Sequence, residues 1–207
     1  MLKLDIIPTG VLGTNAVVVG DAESRKIWLF DAPDGIGEVL SAYAGLKLQG
    51  LFLTHGHFDH ILGVGEISPP RIWAGEGDRK LLTQPELMGG WTGDAYLSDK
   101  LKKVEVSDWI SQNGEIEAAG LKIQVRLSPG HSKGGLIYYL PQLATAVVGD
   151  TIFRQGVGRT DLPGGSSDEL LNSIRSQVFT LPDETRLIPG HGPTTTVAQE
   201  KAENPYI

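Results

Sequence analysis

The sequence contains five histidines, and none of them is scattered. Three stand together in His55-Gly56-His57-Phe58-Asp59-His60. The other two, His131 and His191, each follow a Pro-Gly pair at the end of an apolar run, and Asp150 closes the apolar run 144–149 in a similar way. A lone histidine is more often a surface or hydrogen-bonded core residue than a ligand. Here that role would have to be assigned five times, each time where an apolar run gives way to a loop, the usual place for site residues on a rigid scaffold. Imidazoles and carboxylates gathered in this way are metal donors.

Spacing divides the donors. His55 and His57 are two apart, so in an extended segment they point to the same side. Asp59 and His60 are adjacent at an expected helix start, residues 59–64, and turn away from that pair. Four donors within six residues are hard to aim at one ion and easy to share between two. The candidates are His55, His57, Asp59, His60, His131, Asp150 and His191, more than the four that a tetrahedral zinc takes. The expected division places His55, His57 and His131 on one ion and Asp59, His60 and His191 on the other. Asp150 bridges, because its two oxygens can serve two cations. A hydroxide between the ions would complete both shells, and such a pair brings the pKa of water toward neutrality and polarises a carbonyl. Asp59 and Asp150 are therefore the candidate catalytic carboxylates. The expected cofactor is two divalent ions, Zn2+ first, with Fe or Mn suited to the same donors.

The elements that must position these groups are mostly short strands. Residues 2–7, 16–19 and 26–30 read as β-runs, 37–44 as a helix ending at Gly45, and 50–53 as a short buried strand running into Thr54-His55. Further strands are expected at 71–74, 121–127, 135–140, 144–148, 151–153 and 186–188. Helical spacing with a Ser-Asp start covers 168–178, and a terminal helical turn covers 197–203. Between them, 75–103 reads as a long polar, Gly-containing segment of the kind that forms binding loops. Trp91 and Tyr96 lie in it, and packing the loop onto the body is their expected role. Two β-rich halves with helices outside make a layered α/β sandwich, expected as one domain over 1–207.

Composition narrows the function classes. Apolar residues make up 40% of the chain and charged residues 21%, an ordinary globular balance. The net charge of -7, with no Lys/Arg run, argues against nucleic acid as a partner. No stretch approaches the roughly 18 apolar residues that span a bilayer. Asp5 and Pro8 interrupt what a signal peptide would need, so a cytoplasmic location is expected. The absence of cysteine excludes disulfides, thiolate nucleophiles and Cys-based zinc sites.

The run His-x-His-x-Asp-His, followed in order by a later His, Asp and His, resembles the metallo-β-lactamase superfamily over nearly the whole chain. That resemblance implies a four-layer αββα sandwich with its metals at one edge. Within the superfamily, 54–63 (THGHFDHILG), 129–135 (PGHSKGG), 149–165 (GDTIFRQGVGRTDLPGG), 188–194 (IPGHGPT) and Glu203-Asn204-Pro205 are similar to short-form glyoxalase II, the hydroxyacylglutathione hydrolases. The likeness implies hydrolysis of S-D-lactoylglutathione to D-lactate and glutathione, the thioester step of methylglyoxal detoxification. A small glutathione conjugate is then the expected partner.

In that family a basic residue in the loop after the bridging aspartate contacts glutathione, and Arg159 falls at that position. The alternative is that Arg159 pairs with Asp161 and only holds the loop. Two departures bear on the substrate. Longer family members add a C-terminal helical domain with further glutathione contacts, whereas this sequence stops soon after His191; and position 133 is Lys where related sequences often have Pro. A runner-up relative is a mono-iron persulfide dioxygenase, whose ligands here would be His57, His131 and Asp150; a lactonase or esterase is a third reading. True β-lactamases of the family often place a Cys at the second metal, which this chain lacks.

Overall fold

Alternating apolar residues in the first strands place one set of side chains on each face of a sheet, and both faces are covered. The computed structural model describes residues 1–88, 90–91, 93 and 95–207. Among these residues the first sheet is formed by β1 (Leu2–Thr9), β2 (Thr14–Asp21), β3 (Lys26–Phe30), β4 (Lys47–Phe52), β5 (Ile72–Gly75) and β6 (Asp108–Ile110), in that order. The second contains β7 (Gly114–Ala118), β8 (Leu121–Leu127), β9 (Leu136–Leu140) and β10 (Thr145–Gly149). After a small hairpin of β11 (Ile152–Phe153) and β12 (Gly156–Val157), it is completed by β13 (Arg186–Pro189) and β14 (Thr195–Thr196). Its spatial order is β14-β13-β10-β9-β8-β7.

The two sheets pack face to face. Val17, Val19, Trp28, Phe30, Phe52 and Trp73 from the first meet Ile123, Val125, Tyr138, Val147 and Ile188 from the second. Phe52 stacks on Trp73 with ring centroids 4.5 Å apart, and Tyr138 meets Phe52 edge-on at 5.6 Å, arrangements that aromatic quadrupoles favour. Among the hydrogen bonds that join the two halves, Trp28 Nε1 donates to Ala118 O at 2.7 Å and Tyr138 Oη to Leu53 O at 2.8 Å.

Period-two alternation sends the remaining side chains outward. Ala16, Val18, Ile27 and Leu29 pack under α1 (Ile36–Ser41), α2 (Phe58–Ile61), α3 (Arg79–Thr83) and α4 (Ala95–Lys100), whose buried apolar residues join the same cluster. On the other side Ile137, Ala146, Val148 and Leu187 pack under α5 (Ser167–Ser173) and α6 (Val197–Glu203). Ser166 caps α5 and Thr196 caps α6, each accepting from a backbone N–H three residues on. These are the four layers αββα.

Several edges differ from the sequence reading. The expected helix at 37–44 is helical only over Ile36–Ser41, and the one at 59–64 over Phe58–Ile61. The 168–178 helix is α-helical over Ser167–Ser173 and continues as a π-helical turn over Ile174–Val178. The segment 75–103 is not a continuous loop. It begins at the end of β5 and carries α3, a short helical turn (Pro85–Met88) and α4, each anchored by an apolar residue, Leu82, Met88 or Leu97. The part of that reading that falls on Gly89, Thr92 and Asp94 lies outside the described residues. No helix among the described residues is long and apolar enough to cross a membrane.

Candidate metal centre

β3, β4 and β5 are parallel neighbours, as are β10 and β13. Their carboxyl ends meet at one edge of the sandwich, where open α/β sheets place their ligands. Just beyond β4 lie Thr54 and the 55–60 run, beyond β10 lies Asp150, beyond β13 lies His191, and beyond β8 lies His131.

All seven predicted donors converge there. His55, His57 and His131 form one group and Asp59, His60 and His191 a second, the donor atoms of each lying within 4.8 Å of one another. A third group of His55, His60 and Asp150 joins the two. Asp150 lies between them: Oδ2 is 3.6 Å from His131 Nε2 and 3.6 Å from His191 Nε2, while Oδ1 is 3.5 Å from His60 Nε2. Asp59 Oδ2 lies 3.1 Å from His191 Nε2. Gly190 makes room for this packing, because a Cβ there would stand 2.0 Å from Asp150 Oδ1.

The ring orientations test whether metal ions fit. His60 Nδ1 lies 2.7 Å from Asp31 Oδ2, His131 Nδ1 2.8 Å from Arg159 O, and His191 Nδ1 3.2 Å from Leu12 O. Oxygens of this kind only accept, so each Nδ1 carries the proton. His55 Nδ1 is 3.1 Å from Thr54 Oγ1, whose own proton goes to Asp31. The inward Nε2 atoms of these rings are thereby left as lone-pair donors, the pattern by which outer carboxylates and carbonyls orient metal-bound histidines. The Nε2 atoms of His55, His57, His60 and His131, and Oδ1 of Asp150, are buried without a hydrogen-bond partner. Buried polar atoms are normally paired, and a cation pairs this set at once. The residues fit divalent ions.

Electrostatics run the same way. Burial, and after it the repulsion of neighbouring rings, keeps His55 neutral, and burial with His131 and His60 pushes His57 down to about 3. Neutral imidazole is the ligating form. Burial also opposes a charge on His60, but Asp59, Asp31 and Asp150 outweigh it and hold that ring well above its usual value. The pocket around His60 Nε2 therefore favours positive charge, a preference that a bound cation satisfies.

Several residues around the donors were not singled out by the sequence reading. Asp31, at the end of β3, bonds both Thr54 and His60. Thr14 Oγ1 donates to Asp59 Oδ2 at 2.9 Å, and Asn15 Nδ2 donates to Pro189 O and Gly192 O. Asp78, inside the segment read as polar, is buried between the histidine loops. Thr14, Asn15 and Asp31 carry one sequence signal, a small polar or acidic residue next to an apolar run, and Asp78 lacks even that. Trp91 packs against the outer core, as expected, and its ring also meets His57 edge-on at 5.5 Å. Tyr96 is exposed, with Lys100 Nζ over its ring.

Arg159 has a divided position. Its carbonyl is in the centre's outer shell, on His131, whereas its guanidinium forms a two-point pair with Asp161, Nε to Oδ1 and a terminal nitrogen to Oδ2, each at 2.7 Å. The loop-holding pair with Asp161 is thus present.

The sequence pattern of the metallo-beta-lactamase superfamily matches residues 10–191, and the chain belongs to that superfamily. It is a metal-dependent hydrolase. It is 32% identical over 218 residues to hydroxyacylglutathione hydrolase GloC of Haemophilus influenzae, covering 100% of this chain and 98% of that protein. The crystal structure of the BLEG-1 B3 metallo-beta-lactamase is similar at a TM-score of 0.87 and 32% identity, covering 100% of this chain and 99% of that one. That of TTHA1623 in a di-iron-bound form is similar at 0.82 and 31%, covering 98% and 100%.

Proposed function

We propose that this chain hydrolyses glutathione thioesters, S-D-lactoylglutathione foremost, at a centre of two zinc ions in the cytoplasm. The observation that carries the reading is the convergence of seven donors in three overlapping groups, on a chain similar from end to end to GloC. His55, His57 and His131 would hold one ion and Asp59, His60 and His191 the other, with Asp150 shared. Ions so held activate water near neutral pH and stabilise the charge that develops on the attacked carbonyl oxygen.

The chain's own residues supply orientation. Asp31, Thr54 and the carbonyls of Leu12 and Arg159 fix the ring tautomers. The Arg159 guanidinium, on the loop that abuts His131, would grip a substrate carboxylate at two points.

The test pairs metal stoichiometry with S-D-lactoylglutathione hydrolysis on one preparation. Two ions per chain and release of D-lactate are expected. Two ions without thioester cleavage would overturn the substrate, and one iron with oxygen uptake on glutathione persulfide would replace the hydrolase by the dioxygenase. The likeness to BLEG-1 favours a second reading, cleavage of a β-lactam amide at the same centre. Faster turnover of β-lactams than of thioesters would establish it.

A further inference from the structure

Each triad draws on both halves of the sandwich, so each needs something to hold loops from two sheets in register. For Asp59, His60 and His191 the ties are visible: Asp31 on His60, Thr14 on Asp59, and Asn15, whose Nδ2 donates to Pro189 O and Gly192 O at 2.9 Å on either side of Gly190-His191. None of these reaches His57 or His131.

The corresponding tie on the other side is Asp78. It leads into α3 and is 2% exposed. Its Oδ2 accepts from Gly56 N at 2.8 Å and from Ser132 Oγ at 2.7 Å, and its Oδ1 accepts from Gly134 N at 2.7 Å. Gly56 lies between His55 and His57, and Ser132 follows His131. One carboxylate, belonging to neither loop, thus receives donors from both. The fit leaves no slack. A Cβ on Gly75 would stand 2.0 Å from Gly134 O, one on Gly77 2.3 Å from Lys133 O, and one on Gly134 2.4 Å from Asp78 N.

We infer that Asp78 is a positioning residue for the three-histidine half of the centre, acting through the backbones that carry His55, His57 and His131. The inference rests on the two-ion reading of the seven donors and is independent of the substrate. A carboxylate suits the role because all three of its partners donate. An amide does not, since whichever way it is turned its NH2 faces a backbone N–H of Gly56 or Gly134. Metal–nitrogen distances are held to about 0.2 Å, so a modest shift of either loop breaks this set while the Asp59, His60 and His191 set keeps its own ties.

The experiment loads the metal-stripped full-length protein with Co2+ against a chromophoric chelator, following affinity for each ion and the visible absorption of the bound cobalt. The parent is compared with Asp78→Asn, Ser132→Ala and Asn15→Ala. Asp78→Asn is expected to weaken one of the two ions about 10- to 100-fold, the usual effect of removing an orienting partner, and to leave the other as in the parent. Asn15→Ala is expected to weaken the other ion, so that the two singly loaded variants give different cobalt spectra. Equal weakening of both ions by Asp78→Asn, or of neither, would overturn the inference. If Asp78→Asn fails to fold by circular dichroism, Ser132→Ala decides, since it removes one of three donors: a smaller loss confined to one ion supports the inference, and unchanged affinities overturn it. A parent that binds fewer than two ions would instead overturn the two-ion reading itself.

Discussion

Asp31 Oδ2 accepts from His60 Nδ1 at 2.7 Å, with both side chains buried. The same carboxylate receives Thr54 N and Thr54 Oγ1 at 2.7 and 2.8 Å, so it fixes the ring of one donor and the start of the loop that also carries His55, His57 and Asp59. In Asp31→Asn the new NH2 must face either His60 Nδ1–H or Thr54 N–H. Facing the ring, it drives His60 to the other tautomer, which points a proton where a lone pair is needed. The backbone is not at issue, because Asp31 has φ 57 and Asn tolerates that region as well as Asp. Affinity for one ion should fall about 10- to 100-fold, read by chelator competition. Unaltered affinity and turnover would show that this contact does not set the ring.

A methyl group tests the shared carboxylate. In Gly190→Ala the new Cβ would stand 2.0 Å from Asp150 Oδ1 and 2.7 Å from His60 Cε1, so Asp150 has to leave its place between the triads. The expected result matches Asp150→Ala: loss of both ions and of nearly all hydrolysis, with the fold retained by circular dichroism. Gly65→Ala has open space around its Cβ and should change neither. Metal content by mass spectrometry decides, and a Gly190→Ala protein that keeps two ions and full turnover would deny Asp150 the bridging role.

The donors themselves were legible because each occupies a strand end, and imidazoles and carboxylates that share such a setting are the groups a divalent ion takes. Layering was legible because runs such as 16–19 and 26–30 are apolar on both faces, which requires cover on both. What stayed hidden depends on distance along the chain. Asp31 acquires its role from a residue 29 positions away, and Asp78 from partners 22 and 54 positions away. Asp31 shares the strand-end setting of the donors but has no histidine beside it, and nothing in the immediate neighbours of Asp78 separates it from an ordinary surface acid. β7 was missed for a related reason: at the sheet's edge, Gly114–Ala118 is mostly exposed and lacks a run of apolar residues. The helices of 75–103 were missed because each buries few apolar residues, too few to show a period.

The core hydroxyl of Tyr138 links stability to the site. It donates to Leu53 O at 2.8 Å across the sheet interface, next to Thr54 and His55. Tyr138→Phe keeps the ring among Phe30 and Phe52 and removes that donor from a buried carbonyl. A loss of about 1–3 kcal/mol is expected for a buried acceptor left unpaired, measured by urea denaturation with an unchanged slope. Metal affinity should fall less than in Asp31→Asn, since no ring is turned. A variant as stable as the parent would mean that Leu53 O finds another donor.

Arg159 and Asp161 form a two-point ion pair with side chains 61% and 67% exposed. An exposed pair contributes about 0–1 kcal/mol, so a substrate carboxylate can displace Asp161 at little cost. A charged hydrogen bond gained from substrate is worth about 1.5–3 kcal/mol, which makes the exchange favourable. Arg159→Ala should therefore raise KM for S-D-lactoylglutathione roughly two- to hundredfold with kcat little changed, the signature of uniform binding. The carbonyl that holds His131 survives this substitution, so metal content should stay at the parent's level. Arg159→Lys should fall between, because an ammonium cannot make the paired contact. Asp161→Ala, which frees the guanidinium, should lower KM or leave it unchanged. An Arg159→Ala enzyme with the parent's KM would reduce the residue to a staple of its own loop.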